Sequence, residues 1–148
     1  DKAVMERKPR APGESIFSGG VWQKILTHGA YIGIVTIIAF FTAFQKEGSL
    51  PFAQTAAFST LILAQLVYVF ECRWLDGRNP GIFSNIYLIA AVLSSAFLLV
   101  VVIYNPLLGG IFSTVPLKAE NWFYVTGFAL IPSLISRLFR FPRKTVRY

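Results

Sequence analysis

Four long apolar blocks separated by polar breaks organise this chain, over about 21–44, 52–74, 82–104 and 122–140. Each is about 18 to 24 residues long. A helix of that length spans about 27–36 Å, which matches the ~30 Å hydrocarbon core of a bilayer. Backbone in lipid must satisfy its own hydrogen bonds, and a helix does so within one segment. The pattern therefore predicts an all-α membrane fold of four transmembrane helices.

The breaks carry the residues that stop helices. Gly19-Gly20 precedes the first block, and Glu47-Gly48-Ser49-Leu50-Pro51 separates it from the second. Asp76-Gly77-Arg78-Asn79-Pro80-Gly81 follows the second block, and Asn105-Pro106 ends the third. Proline lacks an amide donor and restricts the residue before it. The first two connections are short, so successive helices are expected to be antiparallel neighbours. The third, from Asn105 to Asn121, is longer and apolar, and is expected to lie in the interface or fold back over the helix ends. Trp22, Trp74, Tyr104 and Trp122 sit at block ends, the depth that amphipathic rings favour. Pro132 lies inside the fourth block, where it predicts a kink.

Composition agrees with lipid as part of the solvent. Apolar residues make up 55% of the chain and charged residues only 14%, too few for a soluble exterior. The single cysteine, Cys72, excludes an internal disulfide. With one histidine as well, His28, a zinc site of the usual type cannot form. The chain begins at Asp1 with no methionine, basic n-region or cleavage site, and so reads as a fragment or a processed product.

Charge sets the expected orientation. Lys2, Arg7, Lys8, Arg10 and Lys24 lie before or at the start of the first block, and Arg73 and Arg78 flank the middle break. Arg137, Arg140, Arg143, Lys144 and Arg147 lie at the end, so 12 of the 14 basic residues fall in alternate segments. The other two, Lys46 and Lys118, each have a glutamate nearby, Glu47 and Glu120. Both termini are therefore expected in the cytoplasm. This divides the chain into a cytoplasmic loop at 1–20, a four-helix membrane domain at 21–140 and a basic cytoplasmic tail at 141–148. The tail mixes basic and aromatic residues, but it directly follows a span. Binding to anionic headgroups is the simpler account, and no nucleic acid is implied.

Few residues offer chemistry. Gly29 and Gly33 lie four apart on one face of the first helix and would let another helix approach, from within the chain or from outside it. Ala90, Ala91, Ser94 and Ser95 make a weaker small-residue face on the third. The second helix carries a polar stripe of Gln54, Thr55, Ser59, Thr60, Gln65, Tyr68 and Glu71. Glu71 is the one carboxylate inside a block. It is either a buried functional acid or, more simply, a group at headgroup depth paired with Arg73, Arg78 or water. Gln65 is expected to bond a neighbouring helix. His28 reads as an interfacial or packing histidine rather than a catalytic base. No nucleophile with its base, phosphate loop or paired carboxylates appears, so no catalytic residue and no bound cofactor is assigned. No helix has a carboxylate near its middle, which argues against a strong cation site within the chain.

The segment Asp1-Lys2-Ala3-Val4-Met5-Glu6-Arg7-Lys8-Pro9-Arg10-Ala11-Pro12 resembles the cytoplasmic loop after the sixth transmembrane helix of calcium-type P-type ATPases, with Lys8 in place of the first of two paired prolines. Thr60 to Arg73 resembles that family's eighth helix, where many bacterial members carry asparagine at the position of Glu71. Asn105-Pro106-Leu107-Leu108, Phe112, Val115-Pro116-Leu117 and Trp122 resemble the segment between the ninth and tenth helices.

The resemblance implies that the four spans are the seventh to tenth helices of an ATP-driven pump whose parent uses ATP, magnesium and transported calcium. Its remaining helices and cytoplasmic domains would be the partners, alongside membrane lipid. It implies a multi-pass membrane location, and the short loops fit a bacterial plasma membrane. The eighth-helix glutamate of animal reticulum pumps matches Tyr68 here, as in pumps moving one calcium per cycle. Glu71 is the alternative, and with Gln65 these are the weak candidates for an ion ligand. The resemblance also assigns Gly29 and Gly33 to packing on the fifth helix, and Arg7 and Arg10 to coupling with the cytoplasmic machinery. Two other classes remain: an independent four-span scaffold or assembly protein, and a small transporter. Lack of mid-membrane charge disfavours the transporter.

Overall fold

A computed structural model describes residues 21–75 and 85–138, except for the side chains of 21, 24, 73–75, 137 and 138. All regular structure among them is helical: α1 (Val21–Glu47), α2 (Leu50–Leu75), α3 (Ile86–Tyr104), α4 (Pro106–Phe112) and α5 (Ala119–Leu138). The all-α expectation holds, with five described helices rather than four. The expectations for 1–20, for the break at 76–81 and for the tail, including Arg7 and Arg10, lie outside the described residues.

Three described helices are long and apolar enough to cross a membrane, at Ile25–Glu47, Leu50–Cys72 and Ile86–Tyr104. The 20-residue α5 is long enough but more polar, because Glu120, Asn121, Thr126, Ser133 and Ser136 interrupt it. It continues as helix through Pro132.

The helix ends depart from the blocks for local reasons. α1 runs past Phe44 because Gln45, Lys46 and Glu47 are polar but good helix formers. It stops at Gly48, whose φ of +62° is left-handed and whose N–H bonds the Phe44 carbonyl at 2.7 Å. α2 starts at once, with Pro51 in its first turn, where a missing N–H costs nothing. α3 starts at Ile86, because extended Asn85 caps it and accepts from the Tyr87 and Leu88 amides.

Asn105 ends α3 and also caps α4, accepting from the Leu107 and Leu108 amides at 3.0 and 3.3 Å. The apolar third connection thus contains a seven-residue helix that sequence reading did not resolve. Ser113 closes it in the left-handed region at φ 53°. Gly109 permits the tight return, since a Cβ there would sit 3.2 Å from the Thr114 carbonyl oxygen. The segment then folds back as expected. Thr114 Oγ1 donates to the Val102 carbonyl at 3.3 Å, and the Val115 amide donates to Thr55 Oγ1 at 2.9 Å. The Tyr104 hydroxyl donates to the Leu117 carbonyl and accepts from Trp122 Nε1.

The core lies among α1, α2 and α5, whereas α3 touches the rest mainly near its end. Sequence neighbours α2 and α3 therefore pack less than α2 and α5, which are distant in sequence. The contact surfaces are built on alanine. Ala39, Ala43, Ala53, Ala56, Ala64 and Ala129 are all buried, while Ile37, Phe41, Leu93, Phe97 and Leu98 face outward. Small side chains bring helix axes close, and lipid solvates the large ones. Ala39 and Ala43, four apart on α1, supply a close approach within the chain.

Candidate functional site

Polar groups that apolar helices bury need partners, and here they gather at three places. One joins the early part of α1, the end of α2 and the end of α5. Here Glu71 is only 3% exposed, and Ser136 Oγ donates to its Oε1. The same Ser136 hydroxyl lies 2.9 Å from the Ser133 carbonyl oxygen. Among the described residues Glu71 Oε2 is buried without a hydrogen-bond partner.

His28 is buried on the α1 side, its ring 4.3 Å from that of Tyr68 and within electrostatic reach of Glu71. His28 is thus a packing residue, as expected. Glu71 is buried against α5, and its expected pairing with Arg73 or Arg78 lies outside the described side chains.

The second polar group lies at the opposite ends of the same helices. The Thr42 and Tyr124 hydroxyls are hydrogen-bonded to each other, and the Tyr124 hydroxyl also reaches the Ala39 carbonyl at 3.3 Å. Lys46 Nζ donates to Oδ1 of buried Asn121 at 3.3 Å and lies 5.8 Å above the Tyr124 ring. These contacts fasten α1 to α5. A third buried hydroxyl set, Thr55, Ser59 and Thr60, lies along α2. Thr55 and Ser59 donate to the carbonyls of Pro51 and Thr55, each at 2.7 Å, while Thr60 Oγ1 has no partner.

The structure brings together two of the three ion-ligand candidates, Tyr68 and Glu71. Gln65 is exposed and stands apart. No group of three His, Cys, Asp or Glu side chains converges among the described residues. Around a Cβ built at Gly29 or Gly33 there is no atom of the described residues within 4 Å, so that face is open among them. Sequence reasoning missed Ser133 and Ser136. Nothing marks two serines in an apolar run as partners of a glutamate 65 residues away.

The profile of the family described as "Cation transporting ATPase, C-terminus" matches residues 1–141. A calcium-transporting ATPase of Bacillus subtilis is 46% identical over 136 residues, covering 89% of this chain and 15% of that protein. Calcium-transporting ATPase 1 of Bacillus cereus is 33% identical over 162 residues, covering 97% of this chain and 18% of the relative. The chain thus spans less than a fifth of the length of either.

Proposed function

Because the chain belongs to the cation-transporting ATPase C-terminus family, we propose that it is the carboxy-terminal membrane module of an ATP-driven calcium pump and supports the ion-carrying helices without supplying their main ligands. The observation that carries this reading is the likeness to calcium-transporting ATPases over nearly the whole chain. The catalytic cycle, with its ATP and magnesium, belongs to the parent polypeptide. The chain is a multi-pass membrane segment, and its bacterial relatives support a bacterial plasma membrane as its place.

The proposed topology has four antiparallel spans with both ends cytoplasmic, α5 being the fourth. It divides the chain into loop 1–20, membrane domain 21–140 and tail 141–148. Contacts at opposite ends of the bundle support the alternation: Tyr68 meets His28, while Asn121 meets Lys46. Buried alanine contacts on α5 support its place inside the membrane domain, where lower apolarity is tolerated by a helix flanked by other helices. In this reading Gly29 and Gly33 receive a helix of the parent, and Arg7 and Arg10 couple the membrane part to the cytoplasmic domains. Tyr68 stands where some pumps have an ion-binding glutamate.

The test is ATP-driven calcium uptake into inverted vesicles carrying the parent polypeptide. Uptake that is lost when residues 21–138 are deleted is expected; a parent that moves no calcium sinks the reading. The chain alone in nanodiscs is expected to bind calcium no more tightly than about millimolar, since too few oxygen ligands converge. Micromolar binding would show that it forms an ion site itself.

A further inference from the structure

The segment between α3 and α5 reaches back among the helices instead of leaving from their ends. Thr114 Oγ1 donates to the Val102 carbonyl, in the last turn of α3. The Val115 amide donates to Thr55 Oγ1, in the second turn of α2. The Phe112 ring lies 6.1 Å from the ring of Phe58, which stands in the third turn of α2. Leu117 is buried in the core that holds Phe52 and Ala53.

Depth follows from helix rise. The α2 span has 23 residues and starts at Leu50. Centred in the bilayer, a helix of that length measures about 34 Å against a ~30 Å hydrocarbon core, so each end overhangs by about 2 Å. Thr55 stands about 7 Å along the axis from Leu50, and so about 5 Å below the hydrocarbon boundary. A tilt of about 20° changes this only slightly. The backbone tolerates the depth because α2 and α3 supply its hydrogen-bond partners.

α4 presents an apolar face outward from this position. Leu107 and Ile111, four apart, are 79% and 75% exposed among the described residues, while Gly109 is buried. No Asp, Glu, Lys, Arg or His occurs from 79 to 117.

We propose that residues 106–117 form a re-entrant membrane anchor, with Leu107 and Ile111 seated in the acyl chains of the leaflet that holds the α1–α2 turn. The partner is a lipid surface. An interfacial helix sinks its apolar face about 5–10 Å into the boundary between headgroups and acyl chains, the depth that the Thr55 contact sets. The Tyr104 hydroxyl and Trp122 Nε1, bonded at 2.9 Å at an exposed position, mark the same interface with two amphipathic rings. The outward face of α4 also continues that of α3, where Val100 and Tyr104 are exposed. The anchor accounts for the placement of α3 as well. That helix touches the rest mainly near its end, where the return segment ties it to α2. The assignment rests on the membrane location of the chain and is independent of the pump reading.

The experiment is collision EPR spectroscopy of the full chain in phosphatidylcholine nanodiscs, without ATP or calcium. Single nitroxide labels are attached in a Cys72→Ser background at Leu107→Cys or Ile111→Cys. Phe97→Cys, exposed within α3, is the hydrocarbon reference, and Glu47→Cys, at the end of α1, is the aqueous one. Oxygen concentrates among acyl chains and nickel-EDDA in water. The oxygen-to-nickel accessibility ratio at 107 and 111 is expected to exceed that at Glu47→Cys and to approach that at Phe97→Cys. A ratio equal to that at Glu47→Cys overturns the proposal, because the segment then stands in water. Low accessibility to both reagents also overturns it, because a protein surface, a second copy included, then covers the face. Both positions point outward, so both variants are expected to fold, and either one alone decides the question.

Discussion

The His28 imidazole and the Tyr68 phenol lie 4.3 Å apart, centroid to centroid, with their planes inclined by 34°. The contact pins the early part of α1 to the late part of α2, at the end of the bundle where Glu71 is buried. A ring pair of this kind contributes about 0.5–1.5 kcal/mol beyond the area it buries. His28→Ala and Tyr68→Leu are each expected to destabilise the chain, and the double variant by less than the two combined. Denaturant titration of the three variants in mild detergent measures this; strictly additive losses would mean that the rings do not interact.

Thr55 accepts from the Val115 amide while donating to the Pro51 carbonyl. Thr55→Val keeps the side-chain volume and leaves that amide without its acceptor. The expected cost is about 1–2 kcal/mol, the scale of an interhelical hydrogen bond in a membrane protein. Thr55→Ser restores the acceptor and is expected to recover most of the loss in the same unfolding assay.

Asn105 serves two helices, as the last residue after α3 and the first before α4. Asn105→Ala removes the acceptor of two amides, at an expected cost of about 0.5–2 kcal/mol. Amide hydrogen exchange is expected to quicken at Leu107 and Leu108, with α1 and α2 unaffected. Quickening spread evenly over the chain would contradict a local cap.

Among the described residues nothing lies within 4 Å of a Cβ added at Gly33, so Gly33→Ala creates no clash with them. The isolated chain is expected to keep its stability within about 0.5 kcal/mol. In the parent polypeptide, where the proposed function seats another helix on this face, the same change is expected to lower calcium uptake. Unchanged uptake would leave the glycine face without a partner.

Cys72 is exposed and is the single cysteine of the chain. In the proposed topology it lies toward the cytoplasmic end of α2. A membrane-impermeant maleimide is expected to label it in inverted vesicles and not in intact cells carrying the chain. The opposite pattern would reverse the orientation.

The lengths and apolar character of α1, α2 and α3 were legible in the sequence, because a bilayer demands unbroken apolar runs and the chain supplies them. So were the stops at Gly48 and Asn105, which rest on local backbone preference. Less visible were α4, too short to produce an apolar block of its own, and the extension of α1 through three polar residues that form helix well.

The site depended on information the order of residues does not carry. The sequence marks Glu71 as the only carboxylate inside an apolar block, and charge counting suggests that it meets nearby arginines or water. The partner seen among the described residues, Ser136, lies 65 residues away on a helix that packs against α2 although it is not next in the chain. Likewise, Ala39 and Ala43 became a close-packing face while Gly29 and Gly33 stayed open among the described residues. Small residues only permit a close approach; which of them receives a neighbour depends on where the other helices settle. The sequence by itself determined the solvent and the long apolar helices, since these follow from local hydrophobicity and backbone chemistry. Only the tertiary structure decided which polar groups meet, because helix pairing places residues far apart in sequence within hydrogen-bond distance.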